Sequence, residues 1–145
     1  MSQIHVLVIN CGSSSVKFSI IDTRSGQALL SGLAERLLSD KANFKLNYLQ
    51  QNEQFPLKSP YDHQAAIDVL VQQLGKLELL DSLSAVGHRV VHGGEQFSKP
   101  TLITAEVKQT IKDLARLAPL HNPANLTGIK AAEKALGHLP QVAVF

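Results

Sequence analysis

Hydrophobic and polar positions in the first third of the chain follow the patterns of β-strands, either as a short apolar run or as alternation with a two-residue period. Residues 4–9 are apolar except for one histidine, which predicts a strand covered on both faces. Residues 16–20 alternate and predict a second strand paired with the first, and residues 27–33 and 43–49 predict two more strands. Residues 50–60 are polar and marked by proline, which predicts a loop.

The spacing of apolar positions changes to that of α-helices after this polar stretch. Residues 61–80 carry an apolar stripe at helical spacing, and Asp62 is placed to cap the first turn. Residues 104–117 repeat the same pattern, with Thr104 as the capping residue. Both segments are therefore predicted to be amphipathic helices that pack against a sheet.

Two further apolar runs, residues 84–91 and 141–145, predict short strands. Between them Asn122 is followed by proline, which predicts the start of a third helix that ends near Gly137. Several antiparallel strands followed by helix, strand, helix, helix and strand indicate one α/β domain with a mixed sheet and flanking helices.

Composition narrows the class of protein. The chain has 145 residues, of which 44% are hydrophobic and 18% charged, as expected of a folded globular domain. The net charge is only +2 and no lysine- or arginine-rich run is present, which argues against a nucleic-acid partner. No segment has the length and hydrophobicity of a membrane span, and the amino terminus lacks signal-peptide features, so we expect a cytoplasmic protein without a membrane partner.

Cys11 is the single cysteine, which excludes an internal disulfide and fits a reducing compartment. A lone cysteine beside a loop could be a nucleophile. Its small, apolar side chain favours a buried packing role beside the loop instead.

Residues 10–18 form the most informative stretch, in which an apolar run ends at Asn10 and a loop of small residues follows. The loop contains Gly12 and three consecutive serines, and Lys17 lies in the next strand. Small residues allow close approach to a ligand, while hydroxyls, backbone N–H groups and a lysine suit phosphate oxygens. The pattern predicts either a strand–turn–strand phosphate site or an ordinary polar hairpin; the spacing of a Walker loop is absent.

Residues 87–95 combine an apolar strand with a pair of glycines and an arginine. Arg89 is expected either to pair with a carboxylate of the protein or to meet an anionic ligand, since a guanidinium is costly to bury alone. Its planar fork fits a carboxylate or a phosphoryl group. His88 and His92 lie four residues apart, but the strand pattern disfavours a metal site because it separates them.

Residues 117–125 lead into the amino terminus of the third predicted helix. Such termini carry unpaired N–H groups and favour anions. His121 could donate a hydrogen bond to a ligand and Leu120 could line an apolar wall, although Asn122 is expected to cap the helix in either case.

Three motifs together identify a resemblance: Asn-Cys-Gly-Ser-Ser-Ser-Val-Lys-Phe, Gly-His-Arg-Val-Val-His-Gly-Gly-Glu and Ala-Pro-Leu-His-Asn-Pro-Ala-Asn. They resemble the signatures of the acetokinase family of carboxylate kinases, the acetate kinases among them, in the family's order and over residues 4–145. The resemblance implies an actin-like ATPase (ribonuclease H-like) fold. It also implies reversible phosphoryl transfer from ATP to acetate, giving acetyl phosphate and ADP.

On the nucleotide side, the resemblance implies ATP and Mg²⁺ as cofactors. Asn10 would help hold Mg²⁺ through water, and Lys17 would reach the ATP phosphates. Gly12, Ser13 and Ser14 would form the loop against those phosphates.

On the substrate side, the resemblance assigns Arg89 to the substrate carboxylate or the transferred phosphoryl group. Val91 and Leu120 would form the small apolar pocket for the acetate methyl group. His121 lies in the corresponding active-site loop.

Family members are longer, have two such domains around a central cleft and are expected to be homodimers. Residues 1–145 resemble the first domain alone, and the family's essential aspartate is expected just after Phe145. The resemblance therefore assigns no catalytic residue within the chain, and we expect the isolated chain to be inactive.

Three alternatives remain open at the level of sequence. A propionate or butyrate kinase would share these motifs, although Pro123 resembles the acetate enzymes more. A non-catalytic remnant that binds phosphate or another subunit is the second alternative, and a structural domain with a polar hairpin is the third.

Overall fold

A computed structural model describes residues 5–90, 101–113 and 122–144. Within them lie eight strands, which form a single mixed sheet. The strands are β1 (His5–Cys11), β2 (Val16–Asp22), β3 (Ala28–Glu35), β4 (Asn43–Tyr48), β5 (Gln51–Pro56), β6 (Leu83–Arg89), β7 (Thr101–Leu102) and β8 (Gln141–Val144). The helices are α1 (His63–Lys76), α2 (Ala105–Asp113) and α3 (Asn122–Leu136), with a 3-10 turn at Leu80–Ser82.

The strand order is β5-β4-β3-β2-β1-β6-β8-β7. β1 to β5 form an antiparallel meander, as expected where consecutive strands are joined by short turns. β6 and β8 are parallel to β1 and extend the sheet on its other side, while β7 is antiparallel at the edge. The central strand β1 therefore joins an antiparallel half to a parallel half.

Side chains alternate between two unlike faces of the sheet. We call the face against the helices the covered face; it carries buried side chains such as Leu7, Ile20 and Phe44, packed with Ile67 of α1 and Ala132 of α3. The opposite, open face carries partly buried and exposed residues. The sequence predicted that strand β1 would be covered on both faces. On the open face, however, Val6 and Val8 are only partly buried and do not join the hydrophobic cluster of the covered face.

A row of aromatic rings crosses the covered face. The ring centroids of Phe18 and Phe44 are 5.3 Å apart, and those of Phe44 and Phe55 are 5.2 Å apart. β3 lies between the strands of the first pair, and Gly32 is opposite Phe18 in the register. The absence of a side chain at Gly32 leaves the space that the Phe18 ring occupies, since a Cβ there would overlap it.

The caps predicted for the first two helices are confirmed. Asp62 precedes α1, and its Oδ1 accepts a hydrogen bond from the Ala65 N–H at 2.8 Å. Thr104 precedes α2, and its Oγ1 accepts from the Val107 N–H at 3.3 Å. α1 ends earlier than predicted because Glu78 adopts a left-handed backbone (φ 60°), which turns the chain toward β6.

Two other differences concern the edges of the sheet. The predicted loop at residues 50–60 contains β5, an edge strand whose exposed polar side chains leave no alternation to detect. β7 was not predicted because it has only two residues. Residues 114–121 include the predicted end of the second helix and lie outside the described residues.

Candidate functional site

The polar end of the open face brings together three residues singled out in the sequence. Asn10 at the end of β1 lies directly opposite Lys17 of β2. Ile9 is paired with His88 on β6, so the next residues, Asn10 and Arg89, are neighbours on the same face. All three side chains are exposed. We call Lys17, Asn10 and Arg89 the polar row; it lies where the parallel strands β1 and β6 end, a common place for ligand sites in α/β sheets.

Arg89 corrects one expectation. The sequence argument took the Arg89 side chain to be buried, which is costly for a guanidinium without an anionic partner. In the structure Arg89 faces the open side of β6 and is exposed. Among the described residues it forms no ion pair; the ion pairs there are Lys45–Glu35 and Lys108–Glu133. An internal carboxylate partner is therefore not needed, and the guanidinium is accessible to an anion.

The loop between β1 and β2 is held by a turn of its own. The Gly12 N–H donates to the Ser15 carbonyl at 2.9 Å, and the Leu37 N–H donates to the Ser14 carbonyl at 3.0 Å. Ser13 and Ser14 are exposed at its tip. The short turn thus presents small, accessible residues next to the polar row.

Two side chains to which the sequence assigned no role, one of them the last residue of the third motif, anchor this loop from the helix side. His63 Nε2 lies 2.7 Å from the Gly12 carbonyl oxygen, and Asn125 Nδ2 donates to the Cys11 carbonyl at 3.1 Å. Both side chains are buried, at 6% and 3% exposure. The contacts join residues that are 51 and 114 positions apart, so no local pattern could have revealed them.

Cys11 fills space, as the sequence predicted. It is buried, and Gly128 of α3 lies so close that a Cβ there would overlap the Cys11 sulfur. Burial raises the pKa of the Cys11 thiol to about 12, because the low dielectric disfavours a thiolate. A thiol of this kind is a poor nucleophile at neutral pH.

His88 is also structural. Its side chain is buried on the covered face, and Nε2 is 2.7 Å from Gln141 Oε1, the amide oxygen of a β8 residue. Burial lowers the pKa of His88, which the Gln141 bond and the charge of Glu133 oppose only in part. Burial therefore favours a neutral imidazole, and its Nε2–H donates to Gln141 and joins two parallel strands, a structural role rather than that of a metal ligand.

Several predicted site residues fall outside the described part of the chain. They are Val91, His92, Leu120 and His121. Their roles stay predictions, as does the capping role of Asn122, whose side chain is likewise outside the description.

Two cavities adjoin the loop region. One of about 490 Å³ lies on the meander and is lined by Lys17, Leu33, Lys45 and Gln54, among others. A larger one of about 670 Å³ lies between α1 and α3 and includes Ser13 and His63 in its lining. The smaller cavity extends the polar row along the sheet, whereas the larger one lies behind the loop.

Comparison with known proteins decides the family. The sequence model of the Acetokinase family matches residues 5–145, nearly the whole chain. The chain belongs to this family. Acetate kinase from Deinococcus deserti is 50% identical over 139 residues, which cover 96% of this chain and 34% of the relative. Acetate kinase from Chromobacterium violaceum is 49% identical over 142 residues, covering 97% and 35%.

Solved structures agree with the sequence relatives. A propionate kinase from Francisella tularensis matches with a TM-score of 0.93 and 40% identity, over all of this chain and 37% of that one. Acetate kinase from Porphyromonas gingivalis matches with a TM-score of 0.90 and 38% identity, again over 100% and 37%. The predicted fold class, an actin-like ATPase domain with a mixed sheet and flanking helices, is thereby confirmed.

The chain spans about a third of the length of the curated relatives it matches, between 34% and 37% for those with the highest identity. No helix in the described part of the acetokinase-family chain is long and apolar enough to cross a membrane.

Proposed function

We propose that the chain carries the nucleotide and phosphoryl side of a carboxylate kinase site, which transfers the terminal phosphoryl group of ATP to acetate. The observation that carries this proposal is the polar row. Lys17, Asn10 and Arg89 lie on adjacent strands, on one face, with their side chains exposed beside a loop of small residues.

The charges of the row suit the reaction. Transfer between ATP and a carboxylate brings several anions together, so the protein mainly positions them and neutralises charge. Lys17 and Arg89 supply two accessible cations on either side of Asn10. A carboxylate is ionised at neutral pH and is already nucleophilic, so the reaction needs no strong general base.

Each cation receives a distinct role in this proposal. Lys17, with Gly12, Ser13 and Ser14, contacts the ATP phosphates. Arg89 holds the acetate carboxylate or the phosphoryl group in transfer, which its planar fork can contact through two hydrogen bonds. Val91 and Leu120 enclose the acetate methyl group.

The side chain that this proposal assigns to Mg²⁺, the Asn10 amide, suits an ion that binds together with the nucleotide. In residues 5–90, 101–113 and 122–144, no three His, Cys, Asp or Glu side chains come together. Mg²⁺ commonly keeps several waters and takes other ligands from phosphates, so one amide oxygen suffices as an outer contact. Asn10 would supply that contact through water, and Mg²⁺ would neutralise phosphate charge.

The relatives also have about two-thirds of their length outside the part that matches this chain. We infer that groups from this unmatched part complete the site, and that the whole protein works in the cytoplasm as a homodimer, as the family resemblance implies. The 145 residues alone are then expected to bind nucleotide without the turnover of a full-length relative.

Calorimetric titration of the chain with MgATP tests the nucleotide side. Lys17→Ala should weaken binding by about tenfold, because one charge-assisted contact to phosphate is lost. Lys58→Ala, which removes an exposed lysine away from the row, is the matched control and should bind like the wild type. Equal affinities for all three chains would contradict the assignment of Lys17.

A coupled acetyl-phosphate assay tests the reaction itself. Turnover by the 145-residue chain within an order of magnitude of a full-length relative would contradict the inference that other segments complete the site. A chain that binds no nucleotide would instead favour a structural domain or an interaction remnant.

Propionate is the second candidate substrate, because a propionate kinase is among the solved structures most similar to the chain. One methylene in an apolar pocket shifts selectivity by only about 1–3 kcal/mol. Titrating the isotope-labelled chain with acetate and with propionate, while following the amide resonances of residues 87–91, would rank the two acids. Tighter binding of propionate would contradict acetate as the preferred substrate.

A further inference from the structure

A buried histidine at the start of α1 contacts the loop from behind. His63 Nε2 is 2.7 Å from the Gly12 carbonyl oxygen, and the side chain is 6% exposed. A carbonyl oxygen can only accept a hydrogen bond, so Nε2 must carry the proton. The contact therefore fixes both the orientation of the ring and its Nε2–H form.

This hydrogen bond also orients the peptide that follows. In a planar trans peptide the C=O and the N–H point in opposite directions. Since the Gly12 carbonyl points toward His63, the Ser13 N–H points away from α1. In the part of the chain that the structure describes, no hydrogen-bond acceptor is paired with this N–H.

The preceding peptide is held in a similar way. Asn125 of α3 donates to the Cys11 carbonyl at 3.1 Å, and the Gly12 N–H closes the turn onto the Ser15 carbonyl at 2.9 Å. Two consecutive carbonyls are thus drawn toward the helices while the Ser13 N–H is directed outward.

We propose that His63 is a positioning residue for phosphate binding: it holds the Gly12–Ser13 peptide so that the Ser13 N–H is presented to the phosphate oxygens. The inference rests on the proposed function, because it takes the loop to be the phosphate site. A donor fixed before binding needs no reorientation when the anion arrives, which is the advantage of a preorganised site.

The test compares two replacements that differ in reach. In His63→Gln the amide nitrogen can take the place of Nε2 and still donate to Gly12. In His63→Asn the amide is one methylene too short. The matched control is His138→Asn, which changes an exposed histidine outside the loop contacts.

The chains are ¹⁵N-labelled and titrated with inorganic tripolyphosphate, with thermal melts confirming that each is folded. We expect the Ser13 amide resonance to shift on binding in the wild type, in His63→Gln and in His138→Asn. In His63→Asn that shift should be lost and affinity should fall by about tenfold, the effect of one misplaced donor.

A folded His63→Asn chain with wild-type affinity and a wild-type Ser13 shift would overturn the role of His63. A wild-type chain that binds no tripolyphosphate would instead contradict the proposed phosphate site. The contact between His63 and the loop would then be tested without ligand: His63→Asn should shift the Gly12 and Ser13 amide resonances, and His63→Gln should restore their wild-type positions.

A measurement on the wild type needs no variant and remains decisive if His63→Asn fails to fold. The ¹⁵N resonances of the His63 ring distinguish the Nε2–H form from the Nδ1–H form. The first supports the proposal, whereas the second would remove the hydrogen bond on which it depends.

Discussion

Lys17 and Phe18 are adjacent on β2, yet they belong to two different environments. Phe18 is 2% exposed and stacks with Phe44 beneath the helices, whereas Lys17 is exposed on the other face. On the covered face, available volume decides which side chains are tolerated, because the buried side chains pack against one another. On the open face, charge and side-chain length decide what a residue can bind, because the side chains there have space around them.

The difference teaches where each kind of substitution should matter. On the covered face, one added methyl group has nowhere to go and should lower the free energy of unfolding. On the open face, loss of a whole charged side chain should leave that free energy nearly unchanged and alter binding instead. A structural effect of open-face changes would break this comparison.

Gly32→Ala should have the largest effect on stability. Its Cβ would overlap the Phe18 ring and the Lys45 carbonyl oxygen, and the latter is backbone that cannot rotate away. We expect the free energy of unfolding, measured with urea, to fall by about 3 kcal/mol, at the upper end of typical overpacking costs.

Ser31→Ala is the matched control for Gly32→Ala. It lies next to Gly32 on the same strand, but is exposed on the open face. The change should stay within about 0.5 kcal/mol. Equal losses for the two variants would mean that strand β3, rather than the face, determines the cost.

Gly128→Ala should have the next largest effect. The new Cβ would overlap the Cys11 sulfur, although alanine also favours the helix by about 1 kcal/mol. We expect a net loss of about 1–2 kcal/mol of unfolding free energy, the balance of overpacking and propensity. Adding Cys11→Ala should recover much of that loss in a double-mutant cycle.

Gly75→Ala on α1 is the control for Gly128→Ala, because among the described residues its Cβ would meet Leu80 Cδ1 alone, at an ordinary 3.5 Å. It should be neutral or slightly stabilising. If Gly128→Ala were equally neutral, the close packing of α3 on β1 would be refuted.

Acid should lower the free energy of unfolding through His88, which is buried on the covered face. Burial holds the pKa of His88 below its usual 6.5, so the unfolded chain binds a proton more readily. This contribution to stability is complete above pH 6.5 and is lost as the pH falls toward the lower folded value. Urea unfolding at pH 7 and pH 5 should show a smaller difference for His88→Gln than for the wild type.

The surface variant His138→Gln provides the comparison for His88→Gln. It should keep the full acid sensitivity of the wild type, since His138 is exposed. An unchanged pH response in His88→Gln would show that His88 is not the group responsible.

The sequence predicted those features that local patterns encode. Alternation located β2 and β4, and the caps Asp62 and Thr104 located the starts of two helices. β5 was missed because both of its faces are exposed and polar, so nothing alternates. Burial of Cys11 was predictable because a free cysteine usually packs as a small apolar side chain.

The site was predictable only in part, for a physical reason. Asn10, Lys17 and Arg89 were identified by residue type, but their placement on one face depends on the pairing of three strands. His63 and Asn125 were missed because their contacts with the loop form only after the helices pack on the covered face. Such contacts depend on the tertiary fold.

Apart from the control variants, the smallest effect on stability is expected for Arg89→Ala, at the far end of the polar row. Because Arg89 is exposed and forms no ion pair among the described residues, its loss should change the unfolding free energy by less than about 0.5 kcal/mol. Acetate binding, followed by amide resonances of residues 87–91, should weaken at the same time. A loss above about 1 kcal/mol would reveal a structural partner for Arg89 and remove the distinction between the two faces at this strand.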